Sequence, residues 1–344
     1  TGSQQYRPDS FGYYTGRTLE NCLVIAPATD RARIQIIDWL YFIGATRVFK
    51  CSFPELISKD NAIISIESLE NTLQVELSIN NHKIDSVWFW RDEDYDSYVY
   101  DQPGNERLIK RLREHLSGEC KRLRKFFLDN QFPKAFKLLS SSSYENLNKL
   151  ETLMLAKRFH LSVPDFLVTN TKSELLEFKE KHKSVITKAI DEGLTLNSSD
   201  LLLTQYTEEI TDDIFEKIPE TFFPTLFQEK IVKDYEIRTF FLGSEFYSMA
   251  IFSQSDDQTK VDFRRYNPEK WNRNVPYKLP FEVSAKLQKL MAELNLDTGS
   301  VDLVRDASGR LIFLEVNPNG QFGMVSKPCN YGLERKIAEY LILS

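Results

Sequence analysis

Three side chains near the end of the chain have the types and spacing of a metal site. Asp302 and Glu315 each stand between two apolar residues, and Asn317 follows Glu315 by two positions. Solvated strand charges are the ordinary alternative, but apolar neighbours on both sides are unusual for such charges. Two carboxylates and an amide oxygen that converge between strands form a hard oxygen site of the kind that Mg²⁺ prefers. We therefore predict that these residues bind Mg²⁺.

The convergence of these side chains depends on the register of a predicted hairpin. If Arg305 pairs with Arg310 across the intervening turn, Asp302 lies opposite Phe313. Glu315 is then a diagonal neighbour of Asp302 on the same face, roughly 7–8 Å away at Cα. A slip of one residue would place Glu315 on the opposite face from Asp302. The predicted metal site therefore requires this register.

Three basic residues form a second candidate group. Lys188 ends an apolar run, Lys149 opens a predicted helix, and Arg238 lies inside an apolar strand. Each of them, taken alone, is more often a surface cation whose aliphatic stem covers apolar neighbours. At the end of a buried strand, however, a cation can reach a phosphate group. The chain has no GxxxxGK[ST] loop, so a nucleotide would have to be held by other residues.

Other catalytic arrangements are not recognisable in the sequence. The four histidines form no cluster, and no Ser-His-Asp or Cys-His arrangement stands out. The four cysteines lie far apart without a CxxC pair. That spacing disfavours zinc and a disulfide framework, and it indicates free thiols in a reducing cytoplasm.

The whole chain must supply the elements that position these residues. At 344 residues it is long enough for two or three packed units, and its 42% hydrophobic and 27% charged residues are typical of a soluble chain with a core. A net charge of −6 argues against general nucleic-acid binding. No apolar run approaches the ~20 residues of a membrane span, and no signal segment is visible. We expect a cytoplasmic protein.

Hydrophobic periodicity predicts an α/β protein whose first part is an open sheet. Residues 1–21 are expected to be a tail that begins with a tag remnant, and the serine run 140–143 is expected to mark a domain boundary. The predicted strands are 22–26, 48–49, 62–66, 73–79, 86–90, 163–168, 184–188, 226–231, 236–242, 245–252, 300–305 and 310–316. The predicted helices are 34–41, 106–127, 148–160, one ending at 183 with N-cap oxygens from Thr171 and Ser173, 281–294 and 333–341.

The order of these residues along the chain resembles the ATP-grasp fold. The resemblance rests on Lys149, Lys188, Gln228-Glu229-Lys230-Ile231, Glu236-Ile237-Arg238, Asp302 and Glu315-Val316-Asn317. The segments 86–91, 317–324 and 328–331 are similar, more narrowly, to those of grasp-with-spasm peptide maturases, the relatives of microviridin-type graspetide ligases. This resemblance implies an N-terminal pre-ATP-grasp domain (22–138), a central lid domain (139–225) and a C-terminal catalytic domain with an antiparallel sheet (226–344).

The resemblance also implies a role for each site residue. The implied ATP-binding residues are Lys149 and Lys188 on the α- and β-phosphates, Gln228, Glu229, Lys230, Ile231 and Val232 around adenine, and Glu236 on the ribose hydroxyls. Asp302, Glu315 and Asn317 would bind two Mg²⁺ ions, with Glu315 bridging them. Arg238 would face the γ-phosphate and the acyl phosphate.

Two further assignments follow from the same resemblance. Arg264 matches an arginine that would hold the substrate carboxylate, although Arg265 is an immediate rival. Only Gly193 stands where the family has a glycine-rich phosphate loop.

The activity implied by the resemblance is an ATP-dependent ligation that matures a ribosomal precursor peptide. A Glu or Asp side chain of the peptide would be activated as an acyl phosphate, with ATP cleaved to ADP and phosphate. A Ser or Thr hydroxyl would then close a lactone, or a Lys amine a lactam. The expected cofactors are ATP and two Mg²⁺ ions, and the expected partners are the peptide, with its leader and core, and a second copy of the chain in a homodimer.

Three alternatives to this activity stay open. The chain could be an ATP-grasp ligase that adds free amino acids to a peptide or protein, or that makes a dipeptide. It could also be an ATP-binding scaffold that holds a peptide without ligating it. The metal ligands and both lysines count against a scaffold. A general α/β binding protein would leave the order of the motifs unexplained.

Overall fold

The computed structural model describes most of the chain from Asn21 onward. The described residues are 21–26, 30–58, 62–69, 72–79, 82, 84–90, 106–130, 136–139, 147–190, 193, 195–198, 201–204, 206–254 and 272–343. The predicted tail up to residue 20, the serine run 140–143, Arg264 and Arg265 lie outside these residues.

The described residues form a mixed α/β protein, as predicted. The helices are α1 (Arg31–Phe42), α2 (Phe53–Ser58), α3 (Glu106–Asn130), α4 (Lys149–Arg158), α5 (Lys172–His182), α6 (Asp212–Lys217), α7 (Phe281–Glu293), α8 (Gly323–Cys329) and α9 (Leu333–Leu343). The strands up to the middle of the chain are β1 (Asn21–Ile25), β2 (Arg47–Cys51), β3 (Ala62–Leu69), β4 (Thr72–Ile79), β5 (Ser86–Phe89), β6 (Phe136–Leu139), β7 (Phe166–Thr171) and β8 (Val185–Lys188). The later strands are β9 (Thr195–Ser198), β10 (Leu201–Thr204), β11 (Glu208–Glu209), β12 (Thr221–Glu229), β13 (Lys233–Leu242), β14 (Glu245–Phe252), β15 (Arg273–Tyr277), β16 (Thr298–Asp306) and β17 (Leu311–Asn317).

The chain divides into two compact units. Among the described residues, the first unit contains those of 21–88, 106–137 and 335–343, and the second contains those of 89–90 and 138–334. All the described candidate site residues belong to the second unit. The predicted boundaries of the three domains stay predictions.

The first unit is built on an open sheet with the order β2-β1-β5-β6. The strands β1 and β2 run parallel, with Cys22 opposite Val48, and α1 connects them. Asp30 caps α1 by accepting a hydrogen bond from the N–H of Ala32 at 2.8 Å. Every residue of β1 and β5 is buried, which explains why their sequences are apolar without alternation. None of the described helices has the length and apolar composition needed to cross a bilayer.

The second unit contains two antiparallel sheets. One has four strands in the order β11-β8-β12-β7, and the other has five in the order β15-β14-β13-β16-β17. The antiparallel C-terminal sheet is confirmed as predicted. The strands β9 and β10 pair in antiparallel register, and the sequence analysis predicted neither of them. Thr171 is the N-cap residue of α5 as predicted, but its side chain accepts no capping hydrogen bond and instead donates to the Glu174 carboxylate.

The helices α4 and α7 pack on one face of the five-stranded sheet, and α5 packs on one face of the four-stranded sheet. The helix α8 contacts β13, β14 and β15 of the five-stranded sheet. On the five-stranded sheet, alternate residues such as Ile237, Val301 and Val316 pack with α4 and α7 into one apolar core. On the other sheet, Val185 and Phe227 pack with Leu175 of α5. Because side chains alternate along a strand, the residues between these core positions lie on the opposite faces, here called the site faces. Those faces carry the candidate site.

Candidate active site

The register of β16 and β17 differs from the predicted one. Arg305 pairs with Leu311, one residue beyond the predicted partner, and the predicted pairing of Asp302 with Phe313 is wrong. The cause lies in the turn, where the backbone N–H of Asp306 donates to the carbonyl of Arg310 at 3.0 Å. These two residues therefore face each other, and the register moves by one.

The Asp306 carboxylate holds this turn together. Its Oδ1 accepts hydrogen bonds from the N–H and hydroxyl of Ser308, at 3.0 and 2.7 Å, and from the N–H of Arg310 at 2.9 Å. Its Oδ2 accepts from Nε of Arg310 at 2.9 Å. These bonds, first of all those from Ser308, hold the pKa of Asp306 at about 2. The turn is therefore fixed by an ionised side chain.

A β-bulge restores the convergence that the register shift would have destroyed. The pairing shifts by one residue after Leu303, so Leu314 is an extra residue in β17 and Asp302 lies directly opposite Glu315. Asn317 lies opposite Ser300. The two carboxylates thus share the site face and are direct rather than diagonal neighbours.

Both predicted phosphate-binding lysines meet at Glu315. The Nζ atoms of Lys149 and Lys188 lie 3.6 and 3.7 Å from Glu315 Oε2. Lys149 is the first residue of α4, whose N-cap is Asn148, and its Nζ also donates to the carbonyl of Ala189 at 2.9 Å. Lys188 comes from the other sheet, at the end of β8. The structure therefore brings together residues that are far apart in sequence, around one carboxylate.

Arg238 neutralises the second carboxylate. It lies opposite Asp302 in the sheet, and its guanidinium donates to Asp302 Oδ2 at 2.5 Å. Only 9% of Arg238 is exposed, and its Nε is buried and donates to no described residue. Two carboxylates and three cations therefore share the site, and Nε of Arg238 is a buried donor without an acceptor among the described residues.

Asn317 has an unsatisfied oxygen on the same face. Its Oδ1 is buried and accepts no hydrogen bond from the described residues. Such an oxygen is costly in a protein interior unless a ligand completes it. Together with Asp302 and Glu315 it forms the set of hard oxygen donors that suits Mg²⁺.

The donor set is too small to hold a metal ion alone. Among the described residues, no group of three or more His, Cys, Asp and Glu side chains could hold a metal. Mg²⁺ takes six ligands and commonly shares them between one or two carboxylates, water and substrate phosphates. The residues fit an ion whose coordination is completed by phosphate oxygens.

A close approach of backbone positions Asn317. The loop after β17 turns back so that the N–H of Gly320 donates to the Asn317 carbonyl at 3.0 Å. A Cβ on Gly320 would lie 2.2 Å from Cβ and 2.3 Å from Oγ of Ser300, the residue opposite Asn317. Only glycine fits here, which gives a physical reason for the Asn-Pro-Asn-Gly sequence.

Replacing Gly320 with alanine should displace this loop. We expect overpacking to lower the unfolding free energy by about 1–3 kcal/mol and to weaken nucleotide binding in the presence of Mg²⁺. Urea unfolding and calorimetric titration would measure the two effects. Gly323→Ala is the matched control, because a Cβ there meets no atom within 4 Å. Equal unfolding free energies for the two variants would contradict the close approach.

The predicted adenine-binding segment has its backbone partly engaged. The N–H groups of Glu229 and Lys230 donate to the carbonyls of Asp165 and Ser184, each at 3.0 Å. The ammonium group of Lys230 is paired with the Glu209 carboxylate at 2.5 Å. These two residues therefore anchor the segment to the rest of the sheet.

Gln228 and Ile231 of that segment have hydrogen-bonding groups without a partner among the described residues. Gln228 is 1% exposed, lies on the same face of the sheet as Lys188, and its Nε2 donates to no described residue. The N–H of Ile231 likewise has no partner among the described residues, and Val232 is 77% exposed. A planar base could use such backbone and amide groups for recognition.

Glu236 is the most deeply buried acid of the site. It is 5% exposed and lies on the same face of β13 as Arg238, two residues away. Burial raises the pKa of Glu236 to about 7, and the charge of Asp302 adds to the rise. Lys233 and the hydroxyl of Ser253 oppose it by contacting the carboxylate.

Lys233 and Ser253 are site residues that the sequence analysis missed. In a regular strand, residues three apart lie on opposite faces, so Lys233 would not be expected to meet Glu236. The register of β13 against β16 shifts between Lys233 and Tyr235, however, and the ion pair between Lys233 and Glu236 forms across this irregularity. No periodic pattern in the sequence marks such a shift.

Solved structures with the same architecture define the fold. A RiPP-associated ATP-grasp ligase of Chryseobacterium gregarium, in complex with ADP and a leader and core peptide, matches with a TM-score of 0.74 and 23% identity, over 94% of this chain and 95% of that one. The macrocyclase MdnC of Microcystis aeruginosa MRC, bound to precursor peptide MdnA, has a TM-score of 0.74 at 21% identity, over 94% and 99% of the chains.

A third solved structure, the ATP-grasp ligase PsnB with a precursor variant, Mg and ADP, matches with a TM-score of 0.71 at 16% identity, over 95% and 99% of the chains. No protein-family model and no curated protein matches the chain. The chain has the fold of these ATP-grasp ligases, and the ATP-grasp fold predicted from the sequence is confirmed.

Proposed function

We propose that this protein is an ATP-dependent ligase that closes side-chain macrocycles in a ribosomally made precursor peptide. The observation that carries the proposal is the meeting of Lys149, from the start of α4, with Lys188, Asp302 and Glu315 of two sheets. Solved structures of this fold include complexes with ADP, Mg and precursor peptides, which supports the same ligand classes here.

The site residues suit phosphoryl transfer to a carboxylate. Lys149 and Lys188 would bind the α- and β-phosphates, and Gln228 with Ile231 and its neighbours would bind adenine. Asp302, Glu315 and Asn317 would hold Mg²⁺, which when bound neutralises charge on the transferred phosphoryl group. This reaction needs positioning and charge neutralisation more than a protein nucleophile.

Arg238 is placed to neutralise charge at the point of transfer. Its NH1 is taken by Asp302, and its buried Nε remains available as a donor. A donor held in a water-poor site is worth more than one in solution. We propose that it faces the γ-phosphate and then the acyl phosphate, and that Arg264, or its neighbour Arg265, orients the peptide carboxylate.

The bond formed is the finer part of the proposal. Attack by a Ser or Thr hydroxyl of the same peptide would give a lactone, and attack by a Lys amine a lactam. The attacking group is tethered to the activated one, which gives it a high effective concentration. The proposal also includes a cytoplasmic location and a homodimer.

A single incubation tests the proposed function. The protein, Mg²⁺, ATP and a precursor peptide, to be sought as a short reading frame with a Ser/Thr-rich and Asp/Glu-rich end near its gene, should give a peptide lighter by about 18 Da per bond, together with ADP rather than AMP. The mass loss should disappear when the Glu and Asp residues of the peptide core are replaced.

Other outcomes of this incubation would identify the alternatives. A mass gain equal to an added amino acid would favour a ligase for free amino acids. Tight peptide binding with neither mass change nor ADP would favour a scaffold. Mass spectrometry of the peptide and chromatography of the nucleotides distinguish all three.

A further inference from the structure

The carboxylate of Glu236 has two unlike oxygens. Oε1 contacts the ammonium group of Lys233 and accepts a hydrogen bond from the hydroxyl of Ser253 at 3.1 Å. Oε2 is equally inaccessible, but it accepts no hydrogen bond from the described residues. One oxygen is therefore fixed by the protein, and the other is a buried acceptor without a donor.

This asymmetry is unusual for a pair that serves only stability. Buried carboxylate oxygens in native proteins are satisfied, because an unsatisfied one loses its hydration without compensation. A structural ion pair of this kind would use both oxygens. A buried acceptor left open in a ligand-binding face indicates that a ligand supplies the missing donor.

The ammonium group of Lys233 lies against the Glu236 carboxylate and affects its charge. The Lys233 side chain is 11% accessible and that of Glu236 is 7% accessible, so the pair is poorly screened by water. The contact occurs next to Asp234, where the register of β13 against β16 shifts. Burial favours the protonated form of the Glu236 carboxyl and the ammonium group opposes that effect, so removing the ammonium group would favour the protonated form further and make the carboxyl a weaker acceptor.

We propose that Lys233, assisted by Ser253, is a positioning residue that holds Oε1 of Glu236 and so turns Oε2 toward the ribose hydroxyls of the nucleotide. Lys233 itself does not touch the nucleotide. The inference rests on the proposed nucleotide site and extends it, because it makes the recognition of ribose depend on a lysine outside the predicted ligand set.

The proposal has a specific consequence for nucleotide choice. A hydrogen bond to a charged acceptor is worth about tenfold to a hundredfold in affinity. The 2′-deoxy and 3′-deoxy analogues of ATP each lack one ribose hydroxyl. The unmodified protein should therefore bind ATP at least about tenfold more tightly than it binds the weaker-binding of these two analogues. A variant without the Lys233 ammonium group should lose most of this preference, whereas general damage to the site would weaken all three nucleotides equally.

The experiment is calorimetric titration of ATP, 2′-deoxy-ATP and 3′-deoxy-ATP into the full chain and its variants. Lys233→Met should reduce the preference for ATP to about twofold or less, and Lys233→Arg should restore part of it because the charge is retained. Lys179→Met is the matched control. The Lys179 side chain is 17% accessible and its ammonium group is paired with Asp212, away from Glu236, so this variant should keep the preference of the unmodified protein for ATP.

Further variants separate the failure of this inference from that of the proposed function. If Lys233→Met does not fold, as judged by circular dichroism, Ser253→Ala should show a smaller loss of the same preference. An unchanged preference in the folded Lys233 or Ser253 variants would overturn the inference, and so would equal affinities of the unmodified protein for all three nucleotides. No ATP binding by the unmodified protein would overturn the proposed function as well.

Discussion

Replacing Glu315 with glutamine is expected to abolish product formation while the protein stays folded. Glu315 lies directly opposite Asp302 and within 4 Å of both lysine ammonium groups, so it is the common neighbour of the proposed metal and phosphate sites. Glutamine keeps the shape and one acceptor oxygen but removes the charge that a cation needs. Loss of a group that stabilises charge at the point of transfer costs about 10²–10³ in rate, and a ligand shared by two ions should cost at least as much.

The rate of peptide mass loss, measured with saturating ATP and Mg²⁺, gives this effect directly. Glu293→Gln is the matched control, because Glu293 is an exposed acid near the end of α7 and should keep full activity. Circular dichroism melts should show that both variants are folded, since Glu315 lies in a partly accessible position. A rate for Glu315→Gln within about a factor of two of the unmodified protein, far from the expected loss, would contradict the metal assignment.

The sequence was sufficient to predict which residues share a face, but not how they pair. Asp302, Glu315 and Asn317 alternate with core residues such as Val301 and Val316, and this period fixes the face of each strand. The pairing depends on the Asp306 turn and on the Leu314 bulge, and these two irregularities compensate each other. Neither the turn nor the bulge can be recognised from the pattern of hydrophobic residues.

The same limit applies to the nucleotide-binding part of the site. The order of Lys149, Lys188 and Glu236 was recognisable because the resemblance depends on sequence order. The Lys233–Glu236 contact was not, because it forms across a strand irregularity. Contacts between sheets, such as that of Lys188 with Glu315, depend on how the packing of two apolar cores positions the two sheets. These contacts are set by packing and not by spacing along the chain.

Replacing Lys188 with methionine is expected to have opposite effects on the two ligands. Lys188 ends β8 and lies 3.7 Å from Glu315 Oε2, so in the protein without nucleotide its charge competes with a metal ion for that carboxylate. When phosphates are present, the same charge stabilises them. Loss of a charged contact to phosphate should weaken ATP binding by about tenfold to a hundredfold. Loss of the competing charge should strengthen binding of the metal ion alone, by about threefold if this partly accessible pair behaves as others do.

Calorimetry with ATP measures the first effect, and electron paramagnetic resonance of Mn²⁺, titrated without nucleotide, measures the second. Lys179→Met is again the matched control, since Lys179 is a similarly inaccessible lysine paired with an acid outside the site, and neither affinity should change. A general loss of structure at the site would weaken both ligands, and a surface role for Lys188 would leave both unchanged. Either result would contradict the arrangement in which Lys188 exchanges a carboxylate for a phosphate. A fall in ATP affinity together with a rise in Mn²⁺ affinity is the outcome that only this arrangement predicts, because it requires one ammonium group to oppose the metal and attract the nucleotide.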